Sequence, residues 1–183
     1  MDLTSQSNDI SDALLTKRQI LLQGSVDGNM QTKITRLIFH LNAINSLPIT
    51  LIIDTGGGKT ELGMCICDAI RYSQANVIGM VVADAQSAGF DILQACDKRL
   101  AYPGARLMFH APAGDGKRID ADDWDRYLLE ARENHEECLK VYAKRSGQSI
   151  KSCRQWAKEE KRFFAPEALR LGFIDAIVKP PKK

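Results

Sequence analysis

The sequence contains no long apolar run and no excess of charge of one sign. No stretch of its 183 residues approaches the about 20 apolar residues that a membrane-spanning helix needs, and its polar N-terminal residues lack the apolar centre of a signal peptide. The 25 basic residues nearly balance the 23 acidic ones, which argues against a dedicated nucleic-acid-binding protein. We therefore expect a cytoplasmic protein with neither membrane nor nucleic acid among its partners.

Cysteine is scarce and irregularly spaced. The five cysteines are odd in number and lack the spacing of a disulfide framework, which indicates reduced thiols of the kind usual in the cytosol. Cys65 and Cys67 lie two residues apart in a predicted helix, so their side chains point in different directions and do not predict a metal site.

What the sequence does contain is an alternation of strand and helix patterns. Residues 49–54 form a nearly continuous apolar run, which is typical of a strand buried on both faces of a parallel sheet. Residues 26–47 carry apolar side chains at helical spacing. The predicted strands are 20–23, 49–54, 76–83, 107–110 and 173–178, and the predicted helices are 26–47, 60–72, 87–96, 122–144 and 165–172. This order predicts an α/β fold of parallel strands with crossover helices.

A charged segment, residues 114–162, interrupts this alternation. Its long predicted helix carries a stripe on one face, formed by Trp124, Tyr127, Leu128, Ala131, His135, Cys138 and Tyr142. The stripe either covers the domain's own core or contacts another subunit. Residues 1–16 are rich in Ser, Asn and Asp and are expected to be mobile, so the predicted single domain spans residues 17–183.

Three successive glycines, residues 56–58, follow a predicted strand and precede a predicted helix. Gly58, Lys59 and Thr60 match the end of a Walker A phosphate loop, but that motif needs glycine at the position of Ile53. Two interpretations stay open for the turn. It can be an oxyanion hole, with a backbone N–H directed at a developing negative charge, or merely a tight connection.

Ser87 and His110 each stand where a predicted strand ends. Ser87 opens a predicted helix, so it can be an ordinary helix cap or a nucleophile, and its small neighbours Ala88 and Gly89 permit the close approach of a substrate. The segment differs from the G-x-S-x-G motif because residue 85 is alanine. Because parallel strands end at the same edge of a sheet, His110 is a candidate general base for Ser87.

Six segments, taken in order, resemble one known family. These segments are LLTKRQILLQGSVD, PITLIIDTGGG, QSAG, RLMFHAP, SGQS and RFFAPEALRLGFID. Together they are similar to the proteolytic subunits of the Clp protease, a family of caseinolytic serine peptidases, from about residue 14 to residue 178. The resemblance implies a Clp/crotonase-like α/β fold, a ββα spiral of parallel strands with crossover helices, plus a protruding helical handle at about 114–162.

The resemblance also implies roles for particular residues. Ser87 becomes the nucleophile and His110 the base, while Gly58 and Ala88 supply the N–H groups of the oxyanion hole. The family has an aspartate shortly before the final Arg-Phe, and an ungapped comparison from the Ser-Gly-Gln-Ser segment places Glu160 there. Its neighbour Glu159 takes that place under a slip of one residue, and both glutamates can equally be part of a solvated run of charge.

Finally, the resemblance implies an assembly and a substrate. Family members form stacked seven-membered rings that enclose the active sites, and an AAA+ unfoldase feeds unfolded chains into the chamber. We therefore expect a homo-oligomeric serine endopeptidase acting on polypeptides, with some preference for apolar P1 residues. We expect no metal and no cofactor in this chain, since ATP is used only by the unfoldase. A catalytically weak ring-forming paralogue and a crotonase-class acyl-CoA enzyme remain as alternatives.

Overall fold

The structure is a computed structural model that describes residues 12–111 and 121–181. Its strands are β1 (Gln19–Val26), β2 (Ile49–Gly58), β3 (Val77–Gln86), β4 (Lys98–Ala101), β5 (Arg106–Met108), β6 (Arg162–Phe164) and β7 (Ala176–Ile177). Its helices are α1 (residues 12–16), α2 (Gly28–Ile44), α3 (Thr60–Arg71), α4 (Ala88–Ala95), α5 (Ala121–Ser146), α6 (Ile150–Lys158) and α7 (Ala165–Arg170). Within these described ranges, no helix has the length and apolar character to span a membrane.

The seven strands form one sheet that divides at β3. Strands β1, β2, β3, β4 and β7 lie side by side in that order, and every pair among them is parallel. The first half of β3 pairs with β4, whereas its last three residues, 84–86, pair with β5 in parallel. Strand β5 also pairs with β6, and this pair is antiparallel. The predicted α/β fold of parallel strands with crossover helices is confirmed.

Local sequence explains how strand β2 and helix α2 form. Ile49, Leu51 and Ile53 alternate with half-buried residues along β2 and lie fully in the core. Asp27 caps α2 by accepting a 2.9 Å hydrogen bond from the backbone N–H of Met30. These elements carry the apolar patterns on which the sequence prediction depended.

A cluster of buried aromatic rings fixes the elements that carry the predicted site. Phe90 lies on α4, and Phe109 follows β5; their ring centroids are 4.8 Å apart. Tyr142 of α5 packs against both rings, at 5.0 and 4.7 Å. Burial of each such ring contributes about 1.5–3 kcal/mol. The cluster therefore holds α4, the end of β5 and the long helix α5 in one arrangement.

Several predicted boundaries were wrong. The three glycines are not a separate turn, because β2 runs through them to Gly58. Strand β4, strand β6 and helix α6 were missed. Strand β4 carries Arg99, which is buried and forms an ion pair with Asp175 at 2.5 Å. The buried charge interrupts the apolar pattern of this strand, and the partner that neutralises it lies far away in the sequence. The local sequence therefore does not indicate a strand.

The predicted handle, residues 114–162, is described only in part, since residues 112–120 lie outside the described ranges. The long helix predicted there is α5, whose C-terminal half buries Leu139 and Tyr142. Toward its N-terminus, Trp124 and Leu129 are 42% and 57% exposed. Of the N-terminal segment predicted to be mobile, the structure describes only the helical residues 12–16.

Candidate active site

Ser87 occupies the single residue between β3 and α4, in a strained backbone conformation. Its φ of 52° and ψ of −125° lie in a region that residues with a side chain rarely adopt, at a cost of about 1–3 kcal/mol. Two neighbours hold it there: the Ser87 N–H donates to the carbonyl of Met108 at 2.8 Å, and the Ser87 carbonyl accepts from the N–H of Phe90. A strained serine at a sharp strand-to-helix turn is the geometry of a hydrolase nucleophile.

His110 faces Ser87 across the two parallel strands. Because Gln86 of β3 lies beside Met108 of β5, both strands end at the same level and the two side chains meet. The His110 Nε2 atom is 2.9 Å from the Ser87 Oγ atom. The structure therefore brings together the two residues that the sequence predicts as nucleophile and base, although they lie 23 positions apart.

The partner of the second ring nitrogen, Nδ1, indicates which nitrogen of His110 carries the hydrogen. Its Nδ1 atom is 2.5 Å from the carbonyl oxygen of Ala111. Since a carbonyl oxygen can only accept, Nδ1 carries the hydrogen and the neutral ring leaves Nε2 free to accept from the Ser87 hydroxyl. This tautomer is the one that a general base for Ser87 requires.

The structure does not bring Glu160 to His110. Glu160 lies beyond the end of α6, exposed, with a backbone φ of 49°. Glu159, the alternative acid, accepts a 2.6 Å hydrogen bond from the side chain of Gln155. Within the described residues, neither glutamate forms a hydrogen bond with His110. Helix α6 approaches His110 through its backbone instead, because the Ala157 carbonyl accepts from the N–H of Ala111.

Two glycines of β2 allow close packing, Gly57 against Ser87 and Gly58 against Val26 of β1. Gly57 has a φ of 97°, and a Cβ atom added to it would be 2.7 Å from the Cβ atom of Ser87. Gly58 has a φ of 157°, and a Cβ atom there would be 2.4 Å from the carbonyl oxygen of Val26. Only glycine fits at either position. These glycines are packed against neighbouring backbone, and Ile53, at the position where a Walker A motif needs glycine, is buried in the strand. The partial Walker A match therefore does not form a phosphate-binding loop.

An open cleft of about 590 Å³ contains both Ser87 and His110. One side of the cleft is formed by Gly58 and the start of α3, including Lys59. The other side is α5, which contributes Tyr127, Ala131, His135, Cys138 and Tyr142. Five of the seven residues in the predicted stripe therefore line this cleft. Tyr142 of the stripe is also buried in the core, which favours, at this end of the helix, the alternative that the stripe covers the domain's own core.

Asp91 is a residue of the cleft that the sequence analysis missed. It follows Ser87 by one helical turn on α4, and its carboxylate accepts a hydrogen bond from the Tyr142 hydroxyl. Burial raises the pKa of Asp91 above that of an ordinary carboxyl, while hydrogen bonds from Tyr142 and Cys138 partly oppose this effect. The available signal was one acid in the helix segment AGFDILQA, where Asp91 is the only charged residue.

Among the residues that the structure describes, the cysteines and acids form no alternative centre. All five thiols are free, and burial raises the pKa of Cys96 and Cys138 to about 12. No group of three metal-binding side chains occurs within the ranges that the structure describes. The chemistry that the site can perform is therefore that of the hydroxyl of Ser87 and the imidazole of His110.

The parallel α/β fold and the hydrogen-bonded Ser-His pair define a serine hydrolase. Comparison with known families agrees, because the Clp protease family model matches residues 3–181. The chain belongs to the Clp protease family, a family of serine peptidases.

Individual relatives support this assignment. The chain is 34% identical over 181 residues to an ATP-dependent Clp protease proteolytic subunit of Streptococcus agalactiae serotype V, covering 95% of this chain and 91% of the relative. It is 33% identical over 180 residues to the subunit of the same name from Streptococcus pneumoniae strain Hungary19A-6, covering 94% and 90%. A solved structure of a ClpP1 mutant from Listeria monocytogenes matches with a TM-score of 0.84, at 24% identity, over 93% of this chain and 96% of that one. This last likeness establishes the Clp/crotonase-like fold.

Proposed function

We propose that this chain, a serine endopeptidase subunit of the Clp type, cleaves peptide bonds with Ser87 as the nucleophile and His110 as the general base. The observation that carries the proposal is the 2.9 Å hydrogen bond between Ser87 Oγ and His110 Nε2. The tautomer set by the Ala111 carbonyl supports the same direction of proton transfer.

The reaction follows from this geometry in two steps. Ser87 Oγ attacks the peptide carbonyl as its proton moves to His110 Nε2, and the carbonyl oxygen becomes an oxyanion. The predicted donors to that oxyanion are the backbone N–H groups of Gly58, in the cleft wall, and Ala88, in the first turn of α4. His110 then gives its proton to the leaving amine, and water releases the acyl group from Ser87 by the reverse sequence.

The hydrogen-bond partner of His110 Nδ1 leads to an expectation for the rate of peptide hydrolysis. A carboxylate at Nδ1 stabilises the imidazolium that forms during attack, whereas the carbonyl of Ala111 offers only a dipole. We therefore propose a Ser-His pair oriented by a backbone carbonyl, with activity below that of a complete triad. Glu160 has no place in this proposal, since it forms no hydrogen bond with His110 within the described residues.

The family implies an oligomeric proteolytic chamber, and we propose that this chain assembles into stacked rings of seven subunits in the cytoplasm. The relatives are named ATP-dependent, which supports an AAA+ unfoldase as the partner that uses ATP, so the chain itself needs no cofactor. Exposed apolar side chains offer surface for such contacts: Trp124 and Leu129 on α5, and Phe39 and Ile44 on α2. Unfolded polypeptides are the proposed substrates.

A second candidate function, a ring-forming subunit with weak activity, is favoured by the carbonyl at His110 Nδ1. Both functions are tested by treating the purified protein with a fluorophosphonate probe beside Ser87→Ala and His110→Ala variants. Labelling at Ser87 that requires His110 supports the peptidase. A protein that forms rings in native mass spectrometry but is not labelled at Ser87 would be the scaffold subunit instead.

A further inference from the structure

A carboxylate lies deep in the same cleft as the nucleophile, one helical turn away from it. The backbone N–H of Asp91 donates to the Ser87 carbonyl at 3.2 Å, so one helical turn, about 5.4 Å, separates the two residues along α4, and both line this cleft. The acyl group of a substrate bound at Ser87 must place its P1 side chain in this cleft. The distance is similar to the length of a lysine side chain, whose stem of four methylenes carries the ammonium at its end.

Four residues form the inner boundary of the cleft at this depth. They are Met64 of α3, Asp91 of α4, and Cys138 and Tyr142 of α5, and all four also border a second cavity of about 450 Å³ behind them. Met64 and the ring of Tyr142 supply apolar walls, and Asp91 supplies the one charge in this group. Walls of this kind suit the methylene stem of a basic side chain, and the carboxylate suits its head.

Asp91 accepts hydrogen bonds, but no cationic side chain among the described residues pairs with it. Tyr142 donates to it, and within the described residues no lysine, arginine or histidine forms a salt bridge with it. The nearest arginine on α3, Arg71, is paired with Asp68 at 3.1 Å. Burial raises the pKa of Asp91 and outweighs the opposing hydrogen bonds and the charges of His110 and Arg71, so an ammonium or guanidinium group entering the cleft would relieve this cost.

The wider cleft has the same charge preference. Among the described residues, four carboxylates line it, those of Asp27, Glu61, Asp91 and Glu130, against one ammonium, that of Lys59. A cleft lined mainly by one sign of charge raises the local concentration of ligands of the opposite sign. Both the floor and the rim therefore attract a cationic segment of substrate.

We propose that Asp91 determines P1 specificity, and that this peptidase prefers lysine or arginine at P1. This proposal rests on the proposed function, because it needs the acyl group to be bound at Ser87. It replaces the preference for apolar P1 residues that the family resemblance implies.

Short fluorogenic peptides that differ only at P1 test the proposal on the full-length protein. The measured quantity is the ratio of kcat/KM for P1 lysine to that for P1 leucine. We expect a ratio above about 10 in the wild type, since a paired charge in a partly buried site contributes a tenfold preference or more. We expect Asp91→Asn to lower the ratio at least about tenfold and Asp91→Glu to retain most of it.

A matched control removes a charge from α5 outside the cleft. Glu133→Gln does this at an exposed position, and we expect it to change the ratio less than about threefold. A wild-type ratio below one, or an unchanged ratio in Asp91→Asn, would overturn the proposal. Fluorophosphonate labelling of Ser87 in the same samples separates the two failures: labelled protein with no lysine preference rejects only the specificity, whereas unlabelled, inactive protein rejects the peptidase.

Discussion

The backbone N–H of Ser87 donates a 2.8 Å hydrogen bond to the carbonyl of Met108, two residues before His110. This bond extends the parallel ladder of β3 and β5 by one step beyond Gln86. The sheet therefore holds Ser87 directly at the end of β3, and it holds Met108, two residues before His110, at the end of β5. Changes that loosen β5 should affect the reactivity of Ser87 without touching either side chain.

Phe109 offers the most direct way to loosen this arrangement. Its ring is buried and lies 4.8 Å from that of Phe90, so Phe109→Ala should lower the free energy of unfolding by about 3–5 kcal/mol. We also expect slower fluorophosphonate labelling of Ser87, measured at a temperature where the variant stays folded. Phe164→Ala is the control, because this ring is 58% exposed and should cost far less. Equal losses in the two variants would contradict the role of the buried cluster.

Two adjacent glycines form a matched pair for the wall beside Ser87. Gly57→Ala would place a methyl group 2.7 Å from the Ser87 Cβ atom at a positive φ, so we expect at least about a hundredfold loss of labelling rate at Ser87. Gly56→Ala meets no atom within 4 Å and should retain most of the rate. Thermal unfolding of both variants shows whether the protein remains folded. Similar rates in the two variants would mean that the close packing at Gly57 does not position the serine.

Much of the fold could be predicted because the patterns are local. The apolar runs of β2 and β3 lie within single strands, and the ends of parallel strands meet at one edge, which is why Ser87 and His110 could be proposed together. Strand β4 could not be predicted, since its buried Arg99 is neutralised by Asp175, 76 residues later. A pairing over that distance leaves no periodic signal in the sequence.

The acid was harder to predict for a different reason. Each residue of a helix is turned by about 100° from the one before, so a slip of one position in α6 moves a side chain to another face. Beyond the last turn, Glu160 adopts a left-handed conformation that no helical register describes. The group that does meet His110 Nδ1 is the Ala111 carbonyl, and a backbone atom has no signature in residue type.

Glu160→Gln tests which group orients the His110 ring, the Ala111 carbonyl or the Glu160 carboxylate. If the Ala111 carbonyl orients the ring, removing this exposed charge should change kcat/KM less than about twofold. If Glu160 is the triad acid, the isosteric amide should lower kcat by about 10⁴. Peptide hydrolysis by the assembled protein measures the difference, with Glu159→Gln as the neighbouring control. A large loss in Glu160→Gln alone would show that the assembled enzyme uses a carboxylate that this arrangement of the chain leaves at the surface.

Asp91 makes stability depend on pH, with a sign that follows from its burial. The raised pKa means that the folded state retains a proton that the unfolded chain has already lost, so the free energy of unfolding falls as pH rises from the ordinary carboxyl pKa to the raised one. The groups that act on this carboxyl from neighbouring elements are Tyr142 and Cys138 on α5, Arg71 on α3 and His110 after β5. Desolvation outweighs them, so the charged form is the costly one.

Asp91→Asn removes this titration while retaining an oxygen that can accept from Tyr142. We therefore expect the Tm of the variant to rise relative to that of the wild type as the pH is raised from about 5 to about 8. The difference should be about 2–4 °C for each kcal/mol of desolvation cost that the variant removes. Asp123→Asn is the control, since its exposed carboxylate forms only a surface pair with Arg126 and should give a small difference at either pH. A wild type that is the more stable protein at the higher pH would mean that the carboxylate has a partner in the assembled enzyme. The same Asp91→Asn change that weakens the proposed lysine preference should then strengthen the fold, because a charge kept in the floor of a binding cleft costs stability until the substrate supplies its counter-charge.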